Sequence, residues 1–107
     1  MVQKIGKNEL NQLVKNNSKP LVIDCYADWC GPCKMSSPQF ETLSKKYPNA
    51  QFVKVNVDEE QAISYAFKIR AVPSFFILRG NKIVRKVEGA NIPKLESLLV
   101  KELKENY

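Results

Sequence analysis

The chain has no histidine, three cysteines and a single tryptophan among 107 residues. It also has no apolar run of the roughly 18 residues that a membrane-spanning helix needs. Each absence removes a class of function. Without imidazole there is no conventional base for neutral pH and no histidine ligand for a metal. Three cysteines cannot supply the four ligands a zinc site needs as a rule, so no metal is expected, and they are too few for the disulfide framework of a small secreted domain. The stretch Met1-Val2-Gln3-Lys4-Ile5-Gly6 turns polar too early for the apolar segment of a secretory signal, which predicts a cytoplasmic protein with no membrane attachment. No repeat, low-complexity tract or linker divides the chain, so residues 1–107 are expected to form one domain.

What is present reads as an ordinary globular composition, 44% hydrophobic and 26% charged. Lys and Arg outnumber Asp and Glu by 17 to 11, a net charge of +6. Such an excess can mark a nucleic-acid partner when it is clustered. Here it is scattered from Lys4 to Lys104, with Lys45-Lys46 and Arg85-Lys86 the only adjacent pairs. Scattered charge predicts a solvated surface without nucleic acid, leaving room for a preference for acidic proteins.

Apolar periodicity alternates between strand and helix. A short strand near 2–5 precedes a helix near 7–16 carrying Leu10, Leu13 and Val14. Residues 21–27 are nearly all apolar, the pattern of a central strand covered on both faces, with Asp24 as the anomaly. A long helix with Met35, Phe40, Leu43 and Tyr47 follows, with a kink expected at Pro38. Residues 51–57 read as a strand, and Asp58 with Gln61 as a capping box opening a helix with Ala62, Ile63, Ala66 and Phe67 on one face. Strands at 75–78 and 83–87 flank Gly80-Asn81, a two-residue hairpin turn, and Asn91 caps a last helix carrying Leu95, Leu98, Leu99 and Leu103. The order β-α-β-α-β-α-β-β-α requires a three-layer α/β/α arrangement with a mixed central sheet.

Cys30 and Cys33 lie between the end of the central strand and the start of a helix, where open α/β sheets place their sites. Thiolates attack disulfides, and the free N–H groups and partial positive charge of a helix N-terminus favour the thiolate. Cys30 is therefore read as the nucleophile. Cys33, one turn on and already inside the helix, is read as the less accessible resolving thiol. Pro32 suits the first turn of a helix, and Gly31 lets a substrate backbone approach closely.

The run Trp29-Cys30-Gly31-Pro32-Cys33, in this order of elements, resembles the thioredoxin family across essentially the whole chain. The resemblance implies the thioredoxin fold and a protein-disulfide reductase with a redox-active Cys30–Cys33 disulfide, taking part in cell redox homeostasis as a monomer. It implies a cis peptide bond before Pro73 beside the cysteines. A client groove of Trp29, Gly31, Val72, Pro73, Gly89 and Ala90 follows, in which the Val72 backbone pairs with an extended client segment. It also implies a buried acid, Asp24, that exchanges a proton with Cys33; pairing with Lys54 on the neighbouring strand is the alternative role for that carboxylate. Cys25 departs from the family's usual bulky aromatic and reads as a small buried hydrophobe on the sheet face opposite Asp24.

No nucleotide-binding glycine motif is present, so no bound cofactor is expected. A separate electron donor is therefore required; the resemblance implies NADPH through a flavoprotein, a thioredoxin reductase, with a ferredoxin- or glutathione-linked donor as the alternative, and disulfide-containing client proteins as the partners. Two other readings belong to different classes. An oxidase or isomerase of the same fold would differ between the two cysteines, where Gly-Pro resembles the reducing members. A binding subunit or holdase would tolerate loss of both thiols.

Overall fold

The computed structural model describes residues 2–104. Its elements are β1 (Gln3–Lys4), α1 (Lys7–Asn16), β2 (Leu21–Tyr26), α2 (Gly31–Lys46), β3 (Gln51–Asn56), α3 (Gln61–Ala66), β4 (Ser74–Arg79), β5 (Lys82–Glu88) and α4 (Ile92–Lys104). The order is the one expected from the sequence.

The strands form one sheet in the order β1-β3-β2-β4-β5. β1, β3 and β2 run parallel, while β4 is antiparallel to β2 and β5 to β4. β2 is thus central, which accounts for its nearly apolar sequence: both faces are covered. Strand alternation sends Val22 into a cluster with Phe40, Leu43, Phe52, Phe75, Leu95 and Leu99, beneath α2 and α4. Ile23 and Cys25 go the other way, against Leu10, Val53, Val55, Ile63 and Phe76, beneath α1 and α3. Asp24 shares parity with Val22. It therefore points to the α2 side of the sheet, the side from which the cysteine-bearing helix starts.

Several expectations need correction. Met35 is 76% exposed, because the buried stripe of α2 runs through Cys33, Ser36, Phe40 and Leu43. Ser36 can occupy that stripe since its hydroxyl donates to the Cys33 carbonyl at 3.3 Å. The capping box at Asp58 does not form: α3 starts after Glu60, with no side-chain cap. Asn56 Oδ1 instead accepts from the N–H groups of Asp58 and Glu59, at 2.9 and 3.2 Å. In the terminal hairpin, Ile77 faces Arg85 but Leu78 faces Ile83, so a bulge at Val84 breaks the alternation and leaves Ile83 40% exposed.

The reading of the scattered charge as a solvated surface also fails at Glu102. Glu102 is 7% exposed and accepts from Arg79 Nε at 2.9 Å and Arg85 Nε at 2.7 Å, while Arg79 Nη2 donates to the Glu102 carbonyl. Burial pushes its carboxyl up, but the hydrogen bonds from Arg85 and Arg79 outweigh that and hold it below the ordinary value. Its stabilisation is therefore present above the ordinary glutamate pKa and is lost as pH falls through the lowered one. Glu102→Gln is expected to lower stability at pH 7 by about 1–3 kcal/mol, and by less in acid, read from denaturant melts at both pH values.

Candidate active site

The backbone leaves β2 at Tyr26, turns with Cys30 N–H donating to the Ala27 carbonyl at 3.2 Å, and enters α2 with Cys30 as N-cap. The cap acceptor is the sulfur itself: Cys33 N–H donates to Cys30 Sγ at 3.2 Å. The two sulfurs are bonded, with Cα atoms 5.3 Å apart. The site is thus seen in its oxidised form. Cys30 is 3% exposed and Cys33 4%, so exposure does not separate them as the sequence suggested. Their surroundings do. Cys30 Sγ lies 3.6 Å from the Val72 carbonyl oxygen, whereas Cys33 lines a cleft of about 140 Å³ with Asp24, Tyr26, Asp28, Lys34, Ser37 and Lys54.

Asp24 is 3% exposed, and its Oδ1 has no hydrogen-bond partner among the described residues. Burial raises its pKa from the ordinary 3.8 to about 7, against a smaller opposing pull from Lys54. Lys54 is its register neighbour on β3, yet the two form no ion pair among the described residues. The Lys54 ammonium sits instead 5.8 Å from the centre of the Tyr26 ring. Cys25 is fully buried on the other face, where burial, with the Asp24 charge adding, pushes its thiol far above the ordinary value.

The Val72–Pro73 peptide bond is cis. Two hydrogen bonds pin this loop: Ser74 Oγ donates to the Ala71 carbonyl at 2.7 Å, and Gly89 N–H to the Pro73 carbonyl at 2.8 Å. The second brings Gly89 and Ala90 alongside. Gly89 has φ +93, a conformation that glycine adopts without a steric penalty. Gly31 has no positive φ, and a Cβ at either glycine would meet nothing within 4 Å. Among the described residues the Val72 N–H has no hydrogen-bond partner. Trp29 is 71% exposed, and its ring N–H donates to Asp58 Oδ2 at 2.9 Å. Asp58 is the residue that sequence reasoning misplaced, since a partner 29 positions away leaves no local signal.

A thioredoxin family model matches residues 1–102. The chain belongs to the thioredoxin family. It is 44% identical over 106 residues to a thioredoxin of Coprinus comatus, covering 96% of this chain and 99% of that one. It is 40% identical over 96 residues to thioredoxin H1 of Arabidopsis thaliana, covering 90% of this chain and 84% of that one. Among solved structures, oxidised mitochondrial thioredoxin 3 of Saccharomyces cerevisiae superposes with a TM-score of 0.87 at 38% identity, covering 94% of each chain. The fold is the thioredoxin fold. Family membership and the bonded pair Cys30–Cys33 make this protein a protein-disulfide oxidoreductase that exchanges its dithiol for disulfides of client proteins. Because one of these thioredoxins is mitochondrial, membership leaves the compartment open. Among the described residues no helix is long and apolar enough to cross a membrane.

Proposed function

We propose that the protein reduces client disulfides with Cys30 as the attacking sulfur, Cys33 as the resolving one and Asp24 as the group that takes the Cys33 proton. The observation that carries the reading is the Cys33 N–H aimed at Cys30 Sγ, at the first turn of α2. In the reduced protein that donor, with the helix N-terminus, favours negative charge on Cys30.

The Cys30 thiolate attacks one sulfur of a client disulfide, forming a mixed disulfide and releasing the other client sulfur as a thiolate that takes a proton. The client segment is held beside Trp29, Gly31, Gly89 and Ala90, pairing with the unpartnered Val72 N–H ahead of Pro73. Asp24, ionised, then accepts the Cys33 proton across the cleft, with Lys54 as a nearby positive charge and Pro32 holding the first turn. The Cys33 thiolate attacks Cys30 Sγ and expels the second client sulfur. Two electrons pass to the client, and Cys30–Cys33 is left oxidised. Re-reduction falls to a separate flavoprotein drawing on NADPH, since the chain has no glycine motif for a nucleotide of its own. A reducing compartment such as the cytoplasm suits a dithiol used this way.

Limiting iodoacetamide added to the reduced protein at pH 7 is expected to modify Cys30 first and abolish peptide-disulfide reduction in proportion, with Cys25 unlabelled while the fold persists. Mass mapping that finds Cys33 or Cys25 labelled first would overturn the assignment.

A further inference from the structure

On the Val72 side of the groove, two loops are tied by an ion pair that the exchange chemistry does not use. Arg70 stands two residues before Val72, while Glu88 faces Ser74 across the β4–β5 ladder, immediately before Gly89. The guanidinium meets the carboxylate as a fork, Nε to Oε2 at 3.1 Å and Nη2 to Oε1 at 3.0 Å. Lys86 Nζ lies 3.6 Å from the same Oε2. Two cations thus share one carboxylate, and the cluster is net positive. The Arg70 hydrogen bond holds the Glu88 carboxyl below its ordinary value, so the fork stays charged at neutral pH.

The Arg70 side chain is 79% exposed, and exposed pairs add little to stability. What the fork does is orient the guanidinium plane. Glu88 occupies Nε and Nη2, which leaves the Nη1 hydrogens without a partner among the described residues. On the Trp29 side, Asp28 and Asp58 are exposed carboxylates. Asp58 is engaged by the Trp29 ring N–H, and Asp28 lines the Cys33 cleft with Lys34 and Lys54, so the charged group standing beside Val72 in the chain is the Arg70 fork.

We infer that Arg70, oriented by Glu88, is a specificity-determining residue that favours client segments carrying an Asp or Glu two or three residues from the attacked cysteine, on the Val72 side. The inference rests on the exchange reading above. An extended client advances about 3.3 Å per residue, so side chains two or three residues beyond the one paired with Val72 come within reach of the long, exposed Arg70 side chain. An acidic side chain there accepts from Nη1, a charge-assisted bond to an already positioned donor.

The test uses three disulfide-bridged peptides that differ only in carrying Glu, Gln or Lys at that position. Reduction is followed at low salt through the fluorescence of Trp29, the one tryptophan in the chain. The native protein is expected to show kcat/KM for the Glu peptide about 5-fold above that for Gln, with Lys lowest, and high salt is expected to shrink the ratio. Arg70→Gln brings the Glu-to-Gln ratio close to unity, and Arg70→Glu inverts the order. Lys101→Gln, which removes a distant cation, leaves the ratio as it was. A native ratio near unity, or an equal drop in the Lys101 variant, overturns the inference and leaves the exchange reading standing. A protein that reduces none of the three peptides fails at the exchange reading itself, and the inference falls with it.

Discussion

With Cys33 replaced by serine, the protein is expected to react once with a client disulfide and stop, held to the client through Cys30. With Cys30 replaced, reduction is expected to fall to the uncatalysed background. The asymmetry follows from the order of bond-making. Cys30 forms the first bond, so nothing proceeds without it; Cys33 only breaks that bond from within. Release is fast in the native protein because the second sulfur is already one helical turn away, which turns a bimolecular step into an intramolecular one. Non-reducing gels of Cys33→Ser with a disulfide-bridged client should show a band at the summed mass, and mass mapping should place the link on Cys30. A link on Cys25, or trapping by Cys30→Ser rather than Cys33→Ser, would reverse the roles. Loss of both thiols with full retention of cellular activity would point instead to a binding subunit.

Asp24→Asn is expected to make the oxidised protein more stable and slower. Burial raises the Asp24 pKa from 3.8 to about 7 in the folded state. Below the unfolded value the carboxyl is protonated in both states and costs nothing. Between about 4 and 7 the unfolded chain releases its proton while the folded one retains it, so stability falls as pH rises through this window; above it the loss is complete. A displacement of that size is worth on the order of 4 kcal/mol. Asparagine removes the charge but brings an amide that must find partners in the same place, so the net gain at pH 8 is expected to be about 2–3 kcal/mol, falling as the linkage vanishes until near pH 4 the variant is slightly the less stable of the two. Denaturant melts at both pH values check this, and a less stable variant at pH 8 would count against a buried, unpaired carboxylate. The catalytic consequence has the opposite sign. Without an acceptor for the Cys33 proton, release of the mixed disulfide should slow by roughly 10- to 100-fold at neutral pH. The native release rate should rise with pH through about 7, as Asp24 ionises, and the variant should lack that inflection.

Much of the fold was legible because its signals are local. The nearly apolar run of β2, the hairpin turn at Gly80-Asn81 and the Asn91 cap, whose Oδ1 accepts from Lys94 N–H at 3.1 Å, each state their structure within a few residues. Misreadings fell where a contact from elsewhere competes. Asp58 has the spacing of a helix cap, but Asn56 takes the backbone donors and Trp29 takes the carboxylate. Met35 fits an apolar count, yet the helix turns Ser36 inward instead. Glu102 looks like any surface charge until two arginines of the hairpin close on it.

The same division holds at the site. Sequence alone determined that Cys30 and Cys33 stand one turn apart at the start of a helix, and through alternation that Asp24 and Cys25 face opposite sides of the sheet. Both follow from the fixed periods of helix and strand, which need no knowledge of the rest of the chain. Only the tertiary structure decided which distant loops surround the sulfurs: Val72 at 3.6 Å from Cys30, Gly89 on the Pro73 carbonyl, and Arg70 forked onto Glu88. It alone decided that Asp24 lies beside Lys54 without pairing to it. Those relations join segments 16 to 42 positions apart, and folding brings such segments together through the packing of the whole sheet.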